Sequence, residues 1–443
     1  MITPASDTAA DAPAPAGSPA YKRYMLVVLL VVLAFNYVDR LALGLLLQDI
    51  KLDLQLSDTQ LGVLTGIAFA IFYSLAGIPI ARWADRGNRV TIITVTTLLW
   101  SVFVALCGAA ASFVQLLAIR VGVAVGEAGC VPPAHSLIAD TFARAERPRA
   151  VSVYMLGGPL SLLVGYFAAG WLNEAVGWRM TFLILGIPGI AVALLAWFTL
   201  REPRAAPLAP HGPAVGAAPP PTFVHIARHM AGCASFRHLL LGFSVLSFFN
   251  NGIGQWQPAF FIRSHGMQTG ELGTWFALIY GLCGLAGTWI GGGLATRLAA
   301  ERERLQLRWV ALAVASFGIL TIFIYLSSSL VVAFGIMGIA VLAGAMISGP
   351  LFATIQTLVP TEMRAVAIAL VYLFANLIGM GLGPLAVGIL SDLLAPRAGA
   401  ESLRYALALL SPGYLWGAWH LWRASNSVMA DLAAVGAGRK AGA

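Results

Sequence analysis

From Tyr24 to Gln48 the chain is apolar over a length that carries a helix across a bilayer core, which takes about 20 residues, and runs of this kind recur to the end of the sequence. No other feature restricts the fold as tightly. Hydropathy places twelve spans, at 24–48, 57–81, 90–111, 113–141, 149–173, 177–200, 236–262, 269–295, 308–328, 330–358, 365–391 and 402–423. Charged residues make up 10% of the chain and hydrophobic ones 59%, against about 25% charged in a soluble domain. A water-facing surface cannot be covered with so little charge. The reading is an all-α, multi-pass integral membrane protein whose first partner is the lipid bilayer.

Inside the first run stands Phe35-Asn36-Tyr37-Val38-Asp39-Arg40. A charge at that depth costs on the order of 3 kcal/mol on insertion scales and marks a functional site by default. The fourth span adds Arg120 and Glu127, seven residues and two helical turns apart on one face. Asp39 and Arg120 lie at similar depth, so a contact between them across the bundle is expected. Arginine stays charged under ordinary conditions, and the carboxylates are the groups that exchange protons. Asp39, Arg40, Arg120 and Glu127 are therefore the proton-coupling candidates. A static ion-pair network locking the first and fourth spans is the competing reading.

The segment from Arg201 to Thr222 is rich in Pro and Ala and divides the spans six and six. The expected order is a disordered cytoplasmic tail at 1–21, a bundle at 22–200, a cytoplasmic linker at 201–235, a second bundle at 236–423 and a short tail at 424–443. The halves echo each other. Ala84-Asp85-Arg86 answers Ala295-Thr296-Arg297, Arg149-Ala150-Val151 answers Arg364-Ala365-Val366, and Gly158-Pro159 answers Gly383-Pro384. Parallel repeats of this sort belong to transporters.

The net charge of +8 has no Lys/Arg-rich run that would track phosphates, so no nucleic acid is expected as a partner. The basic residues concentrate in alternate loops, which places both termini in the cytoplasm. Residues 1–20 lack the basic start of a signal peptide. Arginines outnumber lysines 24 to 3, which fits a bacterial inner (plasma) membrane. Cys107, Cys130, Cys233 and Cys283 have no metal-like spacing and read as small buried hydrophobes. No phosphate-binding Gly-x-x-x-x-Gly-Lys, metal-ligand or hydrolase pattern occurs, so neither cofactor, metal nor enzymatic activity is expected.

Between the second and third spans, Pro79-Ile-Ala-Arg-Trp-Ala-Asp85-Arg86-Gly-Asn-Arg89 resembles the cytoplasmic loop signature of the major facilitator superfamily, Gly-x-Leu-Ala-Asp-Arg-x-x-Arg, with Ala81 and Trp83 replacing its Gly and Leu. The resemblance implies two pseudo-symmetric six-helix bundles. It also implies a cytoplasmic gate in which Asp85, Arg86 and Arg89, with Arg149, latch the inside. It makes Gly157, Gly158 and Pro159, with Gly383 and Pro384, hinge or packing positions. A Gly-rich fifth span flexing against the eighth is part of the family pattern. Asn36-Tyr37-Val38-Asp39-Arg40, Arg120, Gly126-Glu127-Ala128, Trp178-Arg179, Phe182, Trp256, Pro258, Gln356, Leu358-Val359-Pro360 and Met363-Arg364-Ala365 together resemble the spinster-like branch.

That branch implies a proton-coupled carrier of lysophospholipids or sphingosine-1-phosphate-like amphiphiles, working by alternating access as a monomer. Its small amphiphilic substrate and protons would be the partners. An organic-anion or drug-like amphiphile carrier is the alternative substrate class. An anion carrier should show cations in both cavity walls, and only the first half offers intramembrane arginines. Amides in lipid seek partners and face a bundle interior. Asn36, Tyr37, Asn250, Asn251, Gln255 and Asn376 are accordingly the substrate-cavity candidates, with Gln257 beside them. A sensor on the same scaffold would need an appended signalling domain, for which the tails and linker are too short.

Overall fold

The computed structural model describes residues 18–143, 145–203, 228, 230–298, 302–346, 354, 357, 358 and 363–441, which are helical nearly throughout and contain no strand. Eight helical stretches are long and apolar enough to cross a membrane. Two of them, Arg147–Thr199 and Leu370–Ala433, run to 53 and 64 residues, and each holds two crossings. They reverse near Gly177 (φ 77°) and Gly399 (φ 55°), where the backbone is left-handed. With Ala234–His265 and the shorter apolar helix Leu330–Ala345 the described chain makes twelve crossings. The amides of the seventh span explain its lower hydropathy.

The two faces of the molecule are fixed by contacts between span ends. At one face, Arg201 N donates to Tyr21 Oη at 2.7 Å, and Lys22 reaches Glu146 at 3.1 Å. At the same level of the second half, Asp431 accepts from Ser235 N at 2.8 Å. This is the terminal face, where spans one, six, seven and twelve begin or end. At the far face, Asp58 and Asp392 meet (Asp58 N to Asp392 Oδ1, 3.0 Å) and Arg179 reaches Asp53 at 2.7 Å.

Local chemistry sets the boundaries. Pro19 follows the Ser18 cap of the first helix, a position where the missing N–H is harmless. That helix, Pro19–Leu54, runs past both limits drawn from hydropathy. Ser57 and Gln60 form a reciprocal capping box that opens the second span, satisfying two orphan backbone donors. The second span breaks at Gly66, where a Cβ would meet Gly381 O at 2.5 Å. Only glycine lets these two backbones come so close.

Prolines 132 and 133 do more than kink the fourth span. The helix ends at Glu127 and restarts at Val131, with the prolines in its first turn, where they are tolerated. The eighth and eleventh spans each contain a π-helical turn, Ile279–Cys283 and Ala375–Leu382. The tenth span is described from Leu330 to Met346, and its expected remainder lies largely outside the described residues.

Candidate functional site

Consecutive residues on a helix point about 100° apart, and Asp39 and Arg40 face different ways. Asp39 turns into the first bundle, where its Oδ2 accepts from Arg120 Nη1 at 2.9 Å. Both side chains are buried, at 3% and 2% exposure. The expected Asp39–Arg120 contact is present. Arg40 instead pairs with Glu127, its Nε donating to Oε2 at 2.6 Å, and Glu127 is fully buried. The Arg40–Glu127 pair was not anticipated from the sequence, which placed Glu127 with Arg120.

The ring of Phe69 on the second span lies between the two guanidiniums, 4.6 Å from Arg40 and 5.4 Å from Arg120. Tyr73 and Tyr37 also flank Arg40, at 5.1 and 5.5 Å. Such faces stabilise a desolvated cation. Asp39 Oδ1 and Glu127 Oε1 have no donor. The cluster thus holds two fixed cations and two acids, each acid with one oxygen that accepts no hydrogen bond. It has the parts of a relay, in which a cation that changes partner changes which acid holds the proton.

Arg40 and Arg120 border a cavity of about 360 Å³ between the halves. The first half contributes Tyr37, Phe69 and Tyr166 to its wall, and the second contributes Asn250, Asn251 and Gln255. Four of the six expected cavity residues therefore line it. Asn36 does not: it is 2% exposed, with its amide nitrogen unpartnered inside the bundle. Asn376 is half-buried in the π turn of the eleventh span and is likewise absent from the lining. At Leu162, Asn250 and Tyr280 this cavity adjoins a larger one of about 910 Å³. Its walls are largely apolar, including Leu156, Phe243, Trp289 and Phe317. Gln257 lines the larger cavity, bonded to Tyr325 Oη at 2.9 Å and accepting from Tyr280.

The hydrogen bonds and ion pairs described between the halves fall at mid-depth or at the far face. The densest group surrounds Asp58. Arg263 of the seventh span donates to both of its oxygens at 2.8 Å. Lys51 and Ser391 add contacts at 2.6 Å. Asp392 accepts from Asp58 N at 3.0 Å and Thr59 N at 2.7 Å, capping the second span from the eleventh. A carboxylate there answers the positive helix end. Beside this, Gly170 and Gly273 bring spans five and eight into backbone contact, a Cβ on either meeting Thr269 O or Tyr166 O. This glycine-to-glycine packing joins the Gly-rich fifth span to the eighth at Gly170 and Gly273. Gly157 packs on Leu30 and Leu33 of the first span, a Cβ on Gly158 would meet open space, and Pro159 lines the apolar cavity. Gly383 packs on Phe248 and Gly252 of the seventh span, and Pro384 O accepts from Trp256 Nε1 at 2.9 Å.

At the terminal face, Arg89 is fully buried and bonded to Glu202 and to Asp140, the latter at 2.6 Å. Asp140 ends the fourth span and Glu202 directly follows the sixth, so Arg89 ties the start of the third span to both. Arg86 and Arg149 are exposed, and the side chain of Asp85 lies outside the described residues. The four cysteines are free. The far-face group and Glu202 escaped the sequence reading. The capping pattern at Ser57-Asp58 was a visible sign of a helix start, but its partners are hundreds of residues away.

The Major Facilitator Superfamily profile matches residues 29–384. An MFS-type efflux pump of Mycolicibacterium smegmatis is 34% identical over 415 residues, covering 91% of this chain and 93% of the relative. Human protein spinster homolog 1 is 25% identical over 412 residues, 85% of this chain and 74% of the relative. A crystal structure of a bacterial homologue of the human lysosomal transporter spinster, inward-facing and unoccupied, is similar with a TM-score of 0.83. It is 30% identical, over 94% of this chain and 99% of that one.

Proposed function

The chain belongs to the Major Facilitator Superfamily, in its spinster-like branch, and on that premise we propose that this transporter moves an amphiphile with one anionic end, coupled to protons, by rocking its halves about a central site. One observation carries the reading: the cavity faced by Arg40 and Arg120 adjoins, at Asn250 and Tyr280, a larger and mainly apolar chamber. The first suits a charged head and the second an acyl chain. A lysophospholipid or a sphingosine-1-phosphate-like lipid has that shape.

Coupling follows from competition for Arg40. An anionic head drawn to Arg40 displaces Glu127 from it. A carboxylate left without its cation in a low-dielectric interior binds a proton more readily. Asp39 and Arg120, one residue and one helix away, pass the same choice onward. Opening of the far face would then break the Asp58–Arg263 group and expose the site to the other side. The basic loops support a bacterial plasma membrane with cytoplasmic termini.

The efflux-pump relative supports a second reading, extrusion of a drug-like amphiphile through the same two chambers. Thermal-shift measurements on purified protein separate the classes. Lysophosphatidylglycerol should raise the melting temperature and a hexuronate should not. Stabilisation by the hexuronate alone would dismiss the amphiphile reading.

A further inference from the structure

Seven arginines among the described residues are buried or half-buried. Six of them, Arg40, Arg89, Arg120, Arg179, Arg263 and Arg404, are paired with a carboxylate. Arg308 is the exception. It lies on the helix Glu303–Leu326 near the terminal face, and its Nε is buried with no hydrogen-bond partner. Its guanidinium rests 5.1 Å from the ring of Trp422 on the last span. One turn back on the same face is Arg304, exposed and with no ion pair among the described residues. On the last span, Arg423 sits 5.7 Å from the ring of Trp419 and likewise has no ion pair among the described residues.

Like charges one turn apart repel, and an arginine half withdrawn from water needs a counter-charge. The indoles hold the guanidinium planes by cation–π contact and leave their edges free. The surroundings are those of a membrane boundary. Trp309, Trp419 and Trp422 are 64%, 51% and 40% exposed on the outside of the bundle, as in the aromatic belts of membrane proteins. A phosphodiester fits such a fork of N–H donors.

We propose that Arg304, Arg308 and Arg423, with Trp419 and Trp422, form a binding site for the headgroup of an anionic phospholipid of the surrounding bilayer. The site is separate from the transport cavity and lies on the lipid-facing side of spans nine and twelve. Its occupant neutralises the three arginines and ties the two spans together at the terminal face. Its chemistry requires a phosphate with net negative charge anchored by acyl chains, which phosphatidylglycerol and cardiolipin supply and phosphatidylcholine does not.

Native mass spectrometry of delipidated protein tests this. Phosphatidylglycerol should fill one saturable site about tenfold more tightly than phosphatidylcholine. The Arg308→Gln/Arg423→Gln double variant should lose that preference while remaining monodisperse. Arg397→Gln, an exposed arginine near the far face, should keep it. A variant that fails to fold is replaced by Arg308→Lys, which keeps the charge, loses the planar fork and should weaken binding. Equal affinity for the two lipids, or an unchanged preference in the double variant, overturns the proposal. Displacement of the lipid by millimolar inorganic phosphate overturns it too, because the site would then take a soluble anion.

Discussion

Replacing Arg263 with Met should open the far face. Arg263 belongs to the seventh span and Asp58 to the second, so their two 2.8 Å bonds form only while the halves meet there. Removing one partner of a buried pair costs about 3–5 kcal/mol when the other is stranded. Asp58, 2% exposed, is not stranded, because Lys51 and Ser391 remain at 2.6 Å. A loss of about 2 kcal/mol, or about thirtyfold in the equilibrium, is the consistent figure. It falls entirely on the closed far face. A population of about 99% closed would drop to about three in four. Spin labels at Leu52 and Leu393, 67% and 70% exposed near the ends of spans one and eleven, report this by electron–electron distance measurement. The variant should add a second, longer distance to the distribution. An unchanged single distance would refute the assignment of the Asp58 group as the far-face latch.

Two other substitutions probe parts of the scaffold. Gly273→Val places a branched side chain against Tyr166 O and the Cα of Gly170. It should force spans five and eight apart and reduce transport without lowering expression, read in proteoliposomes beside a membrane-insertion control. Arg89→Met removes the fully buried cation that Glu202 and Asp140 share. It should cost about 3 kcal/mol and lower the melting temperature, with no change in distances between the halves. A shift in those distances would make Arg89 part of the inside latch.

Much of the architecture was legible in the sequence because the bilayer permits so few solutions. Apolar runs of fixed length, a Pro/Ala-rich break after six of them and basic loops on one side determine a helical bundle of two halves. The Asp39–Arg120 contact was also legible, since depth along two spans can be counted. Its neighbour was not. Which acid Arg40 meets depends on how spans one and four rotate about Phe69, and rotation is set by packing that hydropathy does not record. The same holds for Asn36, one turn from Arg40 yet shut inside the bundle. The Asp58 group joins residues 51, 58, 263, 391 and 392, the ends of four spans. No local pattern announces such a cluster, because each member reads alone as an ordinary end-of-helix charge. The cavity border at Tyr280 lies in a π turn, a local rewinding often found at functional sites but without a sequence signature here.

The sharpest test is uptake of a fluorescent lysophospholipid into proteoliposomes under an imposed pH gradient, with wild type beside Glu127→Gln. Wild type should accumulate the lipid in proportion to the gradient. The variant, neutral where Arg40 is held and correctly folded by thermal shift, should show only gradient-independent exchange. Gradient-driven accumulation by Glu127→Gln at the wild-type rate would contradict the account.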